Sequence, residues 1–530
     1  MSKRAILICA VLIFAAVAVL PLVDMLARSV MVGDRLTFEL YAKLFSSPAQ
    51  QWSLIANSVL LSSLVATLAL AIGVPLGLLV GKTNLPGRRA ALIMLVLPLL
   101  VPPYTLAVCW FNVLSLGGLL DRLLPGYARQ VASDWLFGLP GCVLVLTSAL
   151  MPIVLILTLA SLRMINPRLE EAGKLITGWS GVLRHVTLPM ILPGAVFSTV
   201  LVFLLSMGEI GVPLFLRYPV FPAQTLTQFS AFYDFGAATA AAVPLLGVTL
   251  LVLLLEDGWL HDNTYVLKPS IAAHAVPRIP LQRSRTAAAL LVWLYVLLVV
   301  WIPLFALLAQ AATSSAWIDA WTKASDSLGR SLLFAAIGAT LLMVLGFLLG
   351  YLIRNRSLPL WRSLDALTLL TFTLPGSVIG IGLIALWNRP YTTWIYTTPI
   401  IVVLAYIAQY AAVTSRITAA ALANVPSSLE EAAQLVGVPW LSRLWHIVVP
   451  VATPGLIAAW VIGFIFCVRD LGASMLVYPP GTDTLAVRIL TLMANGAPGL
   501  IATLCLMLIA VTLIPFAVVA LLSSKAGAFR

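Results

Sequence analysis

The chain has 530 residues, 61% of them hydrophobic and 9% charged, far below the roughly 25% charge of soluble domains, so lipid must be the solvent for most of it. A formal net charge of +12 could suggest nucleic acid, but the basic residues are spread among the loops between apolar runs, as membrane topology requires. The five cysteines stand alone in apolar sequence and the four histidines are scattered, so neither a disulfide framework nor a metal-ligand cluster is implied.

Twelve apolar stretches are long enough to cross a bilayer: residues 5–23, 56–80, 90–112, 140–162, 193–216, 236–256, 286–312, 329–352, 366–387, 398–421, 453–475 and 497–522. The first follows Lys3 and Arg4, as a secretory signal would, but it is long and no small-residue cleavage pattern follows, so it reads as a retained helix. Lys82, Arg88, Arg89, Arg163, Arg168, Lys174, Arg184, Lys268, Arg278, Arg354 and Arg356 fall on the side shared with the N-terminus. This bias places both termini in the cytoplasm. Residues 24–55 and 113–139 form the larger outer loops. Leu36 to Phe45 reads equally as a short amphipathic surface helix or as a plain connection. Residues 257–285, with Pro269, Pro277 and Pro280, read as a cytoplasmic linker.

One polar stretch occurs twice. Glu170-Glu171-Ala172-Gly173 leads to Gly178 and then Val186-Thr187-Leu188-Pro189. Glu430-Glu431-Ala432-Ala433 leads to Gly437 and then Ile447-Val448-Val449-Pro450. Each reads as a short helix, a turn and a second helix. Asn166 caps the first copy with Pro167 at its first position; Ser428 and Glu431 have capping-box spacing in the second. The acids lie in the first turn, where the helix dipole favours them, and Gly178 and Gly437 end the helices. The repeat extends further. Gly73, Gly77, Leu85-Pro86 and Pro102 recur at an offset of 273 as Gly346, Gly350, Leu358-Pro359 and Pro375. Glu209-Ile210-Gly211 recurs as Asp470-Leu471-Gly472 at an offset of 261. Six spans separate equivalent points, so the halves run in the same direction, related by an axis along the membrane normal. The first half carries about 13 extra residues, which the loop at 113–139 accommodates.

The doubled stretch resembles the EAA motif of binding-protein-dependent ABC importer permeases: Glu-Ala-Ala, three residues, Gly, nine residues, Ile-x-Leu-Pro. Residues 431–450 keep that spacing, with Val449 in place of Leu. The first copy departs from it, with Gly173 for the second Ala, Gly178 one place late and a span one residue shorter. The resemblance implies an all-α membrane protein of about 12 helices in two parallel six-helix repeats, the type I importer permease fold, in a bacterial inner membrane. It divides the chain into a first helix and outer loop (1–52), permease domains (53–256 and 327–520), the linker (257–285), a seventh helix and outer loop (286–326) and a tail (521–530). It further implies two cytoplasmic ATPase subunits that bind ATP, one docked on each acidic loop, and an extracytoplasmic substrate-binding protein. The coupling residues would be Glu170, Glu171, Ala172, Gly173 and Gly178, with Glu430, Glu431, Ala432, Ala433 and Gly437. Within that class, residues 373–383 and 469–474 are similar to stretches of ferric iron permeases. Fused permeases for thiamine, phosphonate, sulfate or polyamine share most of these features.

Glu209 and the Arg469-Asp470 pair lie inside apolar spans, where ionisable groups are costly and face partners or a water-filled path. Two readings stand: a gate or substrate contact, or structural ion pairs in which Arg469 or Arg217 neutralises the acids. Gly73, Gly77 and Gly81 have the spacing of close helix contacts. Pro102-Pro103 and Pro375-Gly376 interrupt the third and ninth spans, as kinks or as breaks lining a cavity. Gly77 to Thr83 is one residue short of a phosphate loop and has no preceding strand, so it is not one. There is no nucleophile–base–acid set and no metal-ligand run. ATP chemistry, catalysis and cofactors are therefore expected on other chains. A gradient-driven secondary transporter with a parallel repeat is the alternative, and it needs no acidic loops.

Overall fold

The structure, a computed structural model, describes residues 3–32, 35–44, 48–122, 126–232, 235–263, 278–312, 314–357, 359, 361–423, 425–493 and 495–525. These are helical except for connections, a two-residue antiparallel pairing of Met31–Val32 with Arg35–Leu36 and a bridge between Thr83 and Ile279. The helices used below are α1 (Lys3–Ser29), α2 (Gln51–Lys82), α3 (Arg88–Leu100), α4 (Pro103–Leu114), α5 (Leu139–Met164), α6 (Pro167–Val182) and α7 (Leu188–Met207). They continue with α8 (Gln282–Gln310), α9 (Ser315–Asn355), α10 (Trp361–Thr373), α11 (Gly376–Trp387), α12 (Ile400–Ala423), α13 (Ser427–Leu435), α14 (Trp440–Arg469) and α15 (Pro498–Val519).

Counting α6 and α7 as one, nine helices among the described residues are long and apolar enough to cross a membrane. The third and ninth expected spans are not single helices. Each is a pair, α3–α4 and α10–α11, bent by 105° and 107°. Proline is the cause. Its missing N–H and its ring forbid the helical ladder at Pro102 and Pro375, both of which are extended, with ψ of 139° and 136°. The sixth expected span corresponds to the helix Phe235–Asn263, where the apolar stretch is the shorter Ala242–Leu254. The outer segment expected at 36–45 contains a short helix, Glu39–Leu44, and the insertion at 113–139 contains another, Gly126–Leu136. Most of the 257–285 linker lies outside the described residues.

The chain forms two compact units. One contains residues 49–223 and 247–313; the other contains 1–48, 224–246 and 314–530. In the first unit, α2 lies against α5. A Cβ on Gly73, Gly77 or Gly81 would stand 2.8, 2.9 or 2.5 Å from Val154, Thr158 or Leu159. In the other, Gly346 and Gly350 of α9 meet Thr414 and Thr418 of α12 in the same way, and the Thr418 hydroxyl donates to the Gly346 carbonyl at 2.8 Å. The glycine spacing read from the sequence thus marks the same helix pair twice. A second equivalence lies at the other end of these helices. Ser58 Oγ accepts from the Phe221 N–H at 2.9 Å, and Ser331 Oγ from the Leu485 N–H at 2.6 Å.

The leading helix of each half is grouped in the compact unit that holds the other repeat. α1 belongs to the unit holding the second repeat, where the Pro21 backbone would stand 3.2 Å from a Cβ on Gly382 of α11. Asp24 of α1 accepts there from Arg389 at 2.5 Å. α8 belongs to the unit holding the first repeat, where the Trp293 ring covers Gly87. The compact units change at 48/49, 223/224, 246/247 and 313/314.

Close helix approach sets a stability prediction. In Gly346→Val the new side chain meets Thr414 Oγ1 at 2.5 Å and the Ser415 backbone nitrogen at 2.9 Å, and overpacking should cost about 1–3 kcal/mol. Gly247→Ala meets nothing within 4 Å and should be neutral or slightly stabilising. Thermal unfolding of the purified protein in detergent should show a lowered midpoint for Gly346→Val and an unchanged or slightly raised one for Gly247→Ala.

Candidate functional site

The first acidic loop begins where α5 ends. Asn166 Oδ1 accepts from the Arg168 N–H at 3.1 Å, and Pro167 opens α6, as the sequence predicts. Gly178, at φ 68° and ψ −176°, breaks the helical path within α6. The two acids of the pair have different surroundings. Glu170 is 1% exposed. Its Oε2 is paired with the ammonium of Lys82, itself 1% exposed, at the end of α2. Its Oε1 accepts from Thr187 at 3.0 Å. Glu171, one residue on, is exposed. Ala172 is exposed and Gly173 half-buried, and a Cβ at Gly173 would approach Val182 Cγ2 to 3.2 Å. Gly173 therefore lets α6 lie closer to its own return than alanine would.

The second loop repeats this plan with other residues. α13 starts at Ser427 with Pro426 at the N-cap and no side-chain cap. The Ser428–Glu431 capping box expected from the spacing is therefore not formed: the helix is capped at Pro426, two residues too early for Ser428 to serve as the cap. Gly437 ends the turn at φ 82°. Glu430 is half-buried and accepts at 2.5 Å from the hydroxyl of Tyr351 on α9. That hydroxyl in turn accepts from Trp440 Nε1 at 3.1 Å. Arg443 donates to the Glu430 carbonyl at 3.2 Å and to Gln434 at 2.8 Å. Glu431 and Ala432 are exposed and Ala433 is half-buried. Lys3 of α1 lies over the Tyr351 ring, 5.1 Å from its centroid.

Beyond the acids, each loop presents a bare apolar tip. Leu175 and Ile176 are 88% and 84% exposed; Leu435 and Val436 are 89% and 84% exposed. These residues occupy equivalent places, offset by 260. In sequence they are inconspicuous, because an apolar residue in an apolar chain carries no signal. Their helical phase, opposite the buried first acid, is the feature that finds them.

Glu209 and Asp470 follow the long helices α7 and α14. Glu209 Oε1 accepts from the Gly211 N–H at 3.1 Å. Asp470 is 5% exposed. Its Oδ1 accepts from Tyr410 at 2.7 Å, and its Oδ2 from the Ser474 N–H at 2.8 Å and hydroxyl at 2.5 Å. Both acids tie down the turn after their helix. Arg469 places its guanidinium 5.0 Å from the Phe466 ring centroid, and Arg217 lies 5.5 Å from Phe137.

The turn after Asp470 also receives the break between α10 and α11. A Cβ on Gly376 would meet Ala473 N at 2.7 Å and Gly472 C at 2.8 Å, so glycine is required on the α11 side. Gln409 Nε2 donates to the carbonyls of Phe372 and Leu374, at 3.2 and 3.0 Å. It satisfies acceptors that the break frees in apolar surroundings. Residues 373–383 and 469–474 are thus packed on one another.

The unequal burial of the paired acids predicts unequal costs. Glu170→Ala leaves Lys82 buried without its carboxylate and should destabilise by about 3–5 kcal/mol. Glu171→Ala alters an exposed side chain and should leave unfolding temperature nearly unchanged. Thermal unfolding of both variants in the same detergent checks this.

The family described as the inner membrane component of binding-protein-dependent transport systems matches the chain twice, over residues 73–259 and 342–527. The ferric transport system permease protein FbpB of Actinobacillus pleuropneumoniae is 24% identical over 473 residues, covering 84% of this chain and 67% of that one. A putative ferric permease of Haemophilus influenzae is 24% identical over 465 residues, covering 82% and 71%. The molybdenum permease ModB of Escherichia coli is 28% identical over 220 residues, 40% of this chain and 93% of its own. With two family matches that together span most of its length, a doubled acidic loop and spanning helices in both halves, the chain belongs to the inner membrane components of binding-protein-dependent ABC transport systems, fused as two repeats.

Proposed function

We propose that the chain is the permease of an ABC importer for ferric iron, driven by two ATPase subunits docked on its two acidic loops. The observation that carries the docking is the pair of equivalent apolar tips, Leu175-Ile176 and Leu435-Val436. Four large apolar side chains held in water are costly, and a protein surface that covers them recovers that cost. Glu171 and Glu431 flank the tips as exposed carboxylates, which suits a groove with an apolar floor and a basic rim. ATP is bound and hydrolysed on the partner subunits. Their closure would draw the loops together, and the permease would exchange between two conformations that the ATPases bias. A binding protein outside the membrane delivers the substrate.

The ferric assignment is supported by the FbpB relatives, which match along most of the chain, whereas the molybdenum relative corresponds to one half. The loops and both termini are assigned to the cytoplasm on the distribution of Lys and Arg. Cytoplasmic reporters fused after Lys174 and at Arg530 should be active; an inactive reporter after Lys174 would reverse the orientation.

The docking reading predicts that affinity-purified full-length chain carries two ATPase subunits. Leu175→Ser/Ile176→Ser combined with Leu435→Ser/Val436→Ser should reduce the bound ATPase at least tenfold and abolish uptake of radiolabelled ferric iron at matched membrane expression. Glu171→Ala/Glu431→Ala should weaken the same association less. Undiminished ATPase on the four-serine variant would remove the docking surface, and wild-type cells that gain no ferric uptake would remove the substrate.

A further inference from the structure

We propose that Glu170 and Glu430, the first acid of each pair, are positioning residues that lock each acidic helix to the end of a membrane helix, and that Lys82 and Thr187 form that lock in the first repeat. The inference rests on the reading of the loops as ATPase docking surfaces and deepens it. It names the side chains through which displacement of a loop reaches the membrane.

The chain supplies its own comparison. At the offsets that align the repeats, Lys82 corresponds to Asn355, Thr187 to Val448 and Leu78 to Tyr351. Both donors that hold Glu170 are thus absent from the second repeat. There the same carboxylate position is reached from one turn further back on the equivalent helix, by Tyr351. The phenol is itself held by Trp440, and Arg443 grips the Glu430 carbonyl. Two different donor sets make one connection: α2 to α6 in the first repeat, α9 to α13 in the second. A carboxylate that served only the helix dipole would need neither, because water satisfies it at a surface. Glu170 and Lys82 are instead both 1% exposed, and a buried charge is retained at a cost unless its partner is held in place.

The end of α2 is gripped from a second side. The Ile279 N–H donates to the Lys82 carbonyl at 2.8 Å, and the Leu281 N–H to Asn84 Oδ1 at 3.0 Å. The chain entering α8 therefore pairs with the residues that follow Lys82. Lys82 joins the acidic helix through its side chain and the linker end through its backbone. A shift of α6 must move this corner as a body or break a buried ion pair.

Hydrogen exchange on the full-length chain with its co-purified ATPases in lipid nanodiscs, with and without ATP and vanadate, tests the lock without a transported substrate. In wild type, trapping should change exchange in both 167–182 and 78–86. In Lys82→Met the change in 167–182 should stay within twofold of wild type, while the change in 78–86 should fall at least fivefold; Lys82→Arg should retain both. Thr187→Val removes one hydrogen bond and no charge, so it remains informative if Lys82→Met fails to fold; it should reduce the response in 78–86 two- to threefold. A role confined to folding would lower yield but leave both segments of the folded protein responding together, and that result in Lys82→Met or Thr187→Val overturns the proposal. A wild-type complex with no response in 167–182 overturns the docking reading instead.

Discussion

A buried carboxylate beside a surface carboxylate is the constraint on which the two acidic loops depend. In apolar surroundings a charge is tolerated only when a partner and hydrogen bonds replace its water. Glu170 has both, from Lys82 and Thr187. Meeting that requirement orients the whole of α6. With one face pinned inward by the first acid, the opposite face must carry Leu175 and Ile176 out of the protein. The exposed tip and the buried anchor are consequences of the same helical phase, and the second loop reaches the same orientation through Tyr351.

Proline and glycine impose the second constraint. Pro102 and Pro375 end helices within apolar spans and turn the chain by more than a right angle. Such breaks survive only where other groups satisfy the freed carbonyls, the task of Gln409 in the second repeat. Gly376 then lets the new helix start against Gly472. Asp470 holds the facing turn through Ser474 and Tyr410. Two sequence stretches nearly a hundred residues apart are thereby one structural feature.

The repeats are equivalent in plan and unequal in chemistry. Gly173 allows close packing on Val182 in the first loop, where the second uses Arg443 and Gln434. Departures from the motif in the first copy are thus accompanied by different local contacts. The Lys82 corner is joined to the linker end.

From residues alone, the membrane class, the parallel repeat, the two acidic loops and the importer family were all legible. Each rests on a one-dimensional signal: apolar length, fixed offsets, and spacing between glutamate, glycine and proline. The glycine stripe at 73, 77 and 81 was legible for the same reason, since small residues at helical spacing have one main use. What the sequence could not order was the pair Glu170-Glu171. Adjacent residues of one type are indistinguishable until a partner 88 positions away is placed. The capping box failed because its helix is capped at Pro426, two residues before Ser428. The packing of α1 and α8 was hidden because chain order carries no information about which neighbour an apolar helix chooses. Only tertiary structure decides that choice, through side-chain fit: Gly382 beneath Pro21, Arg389 on Asp24, and Trp293 over Gly87.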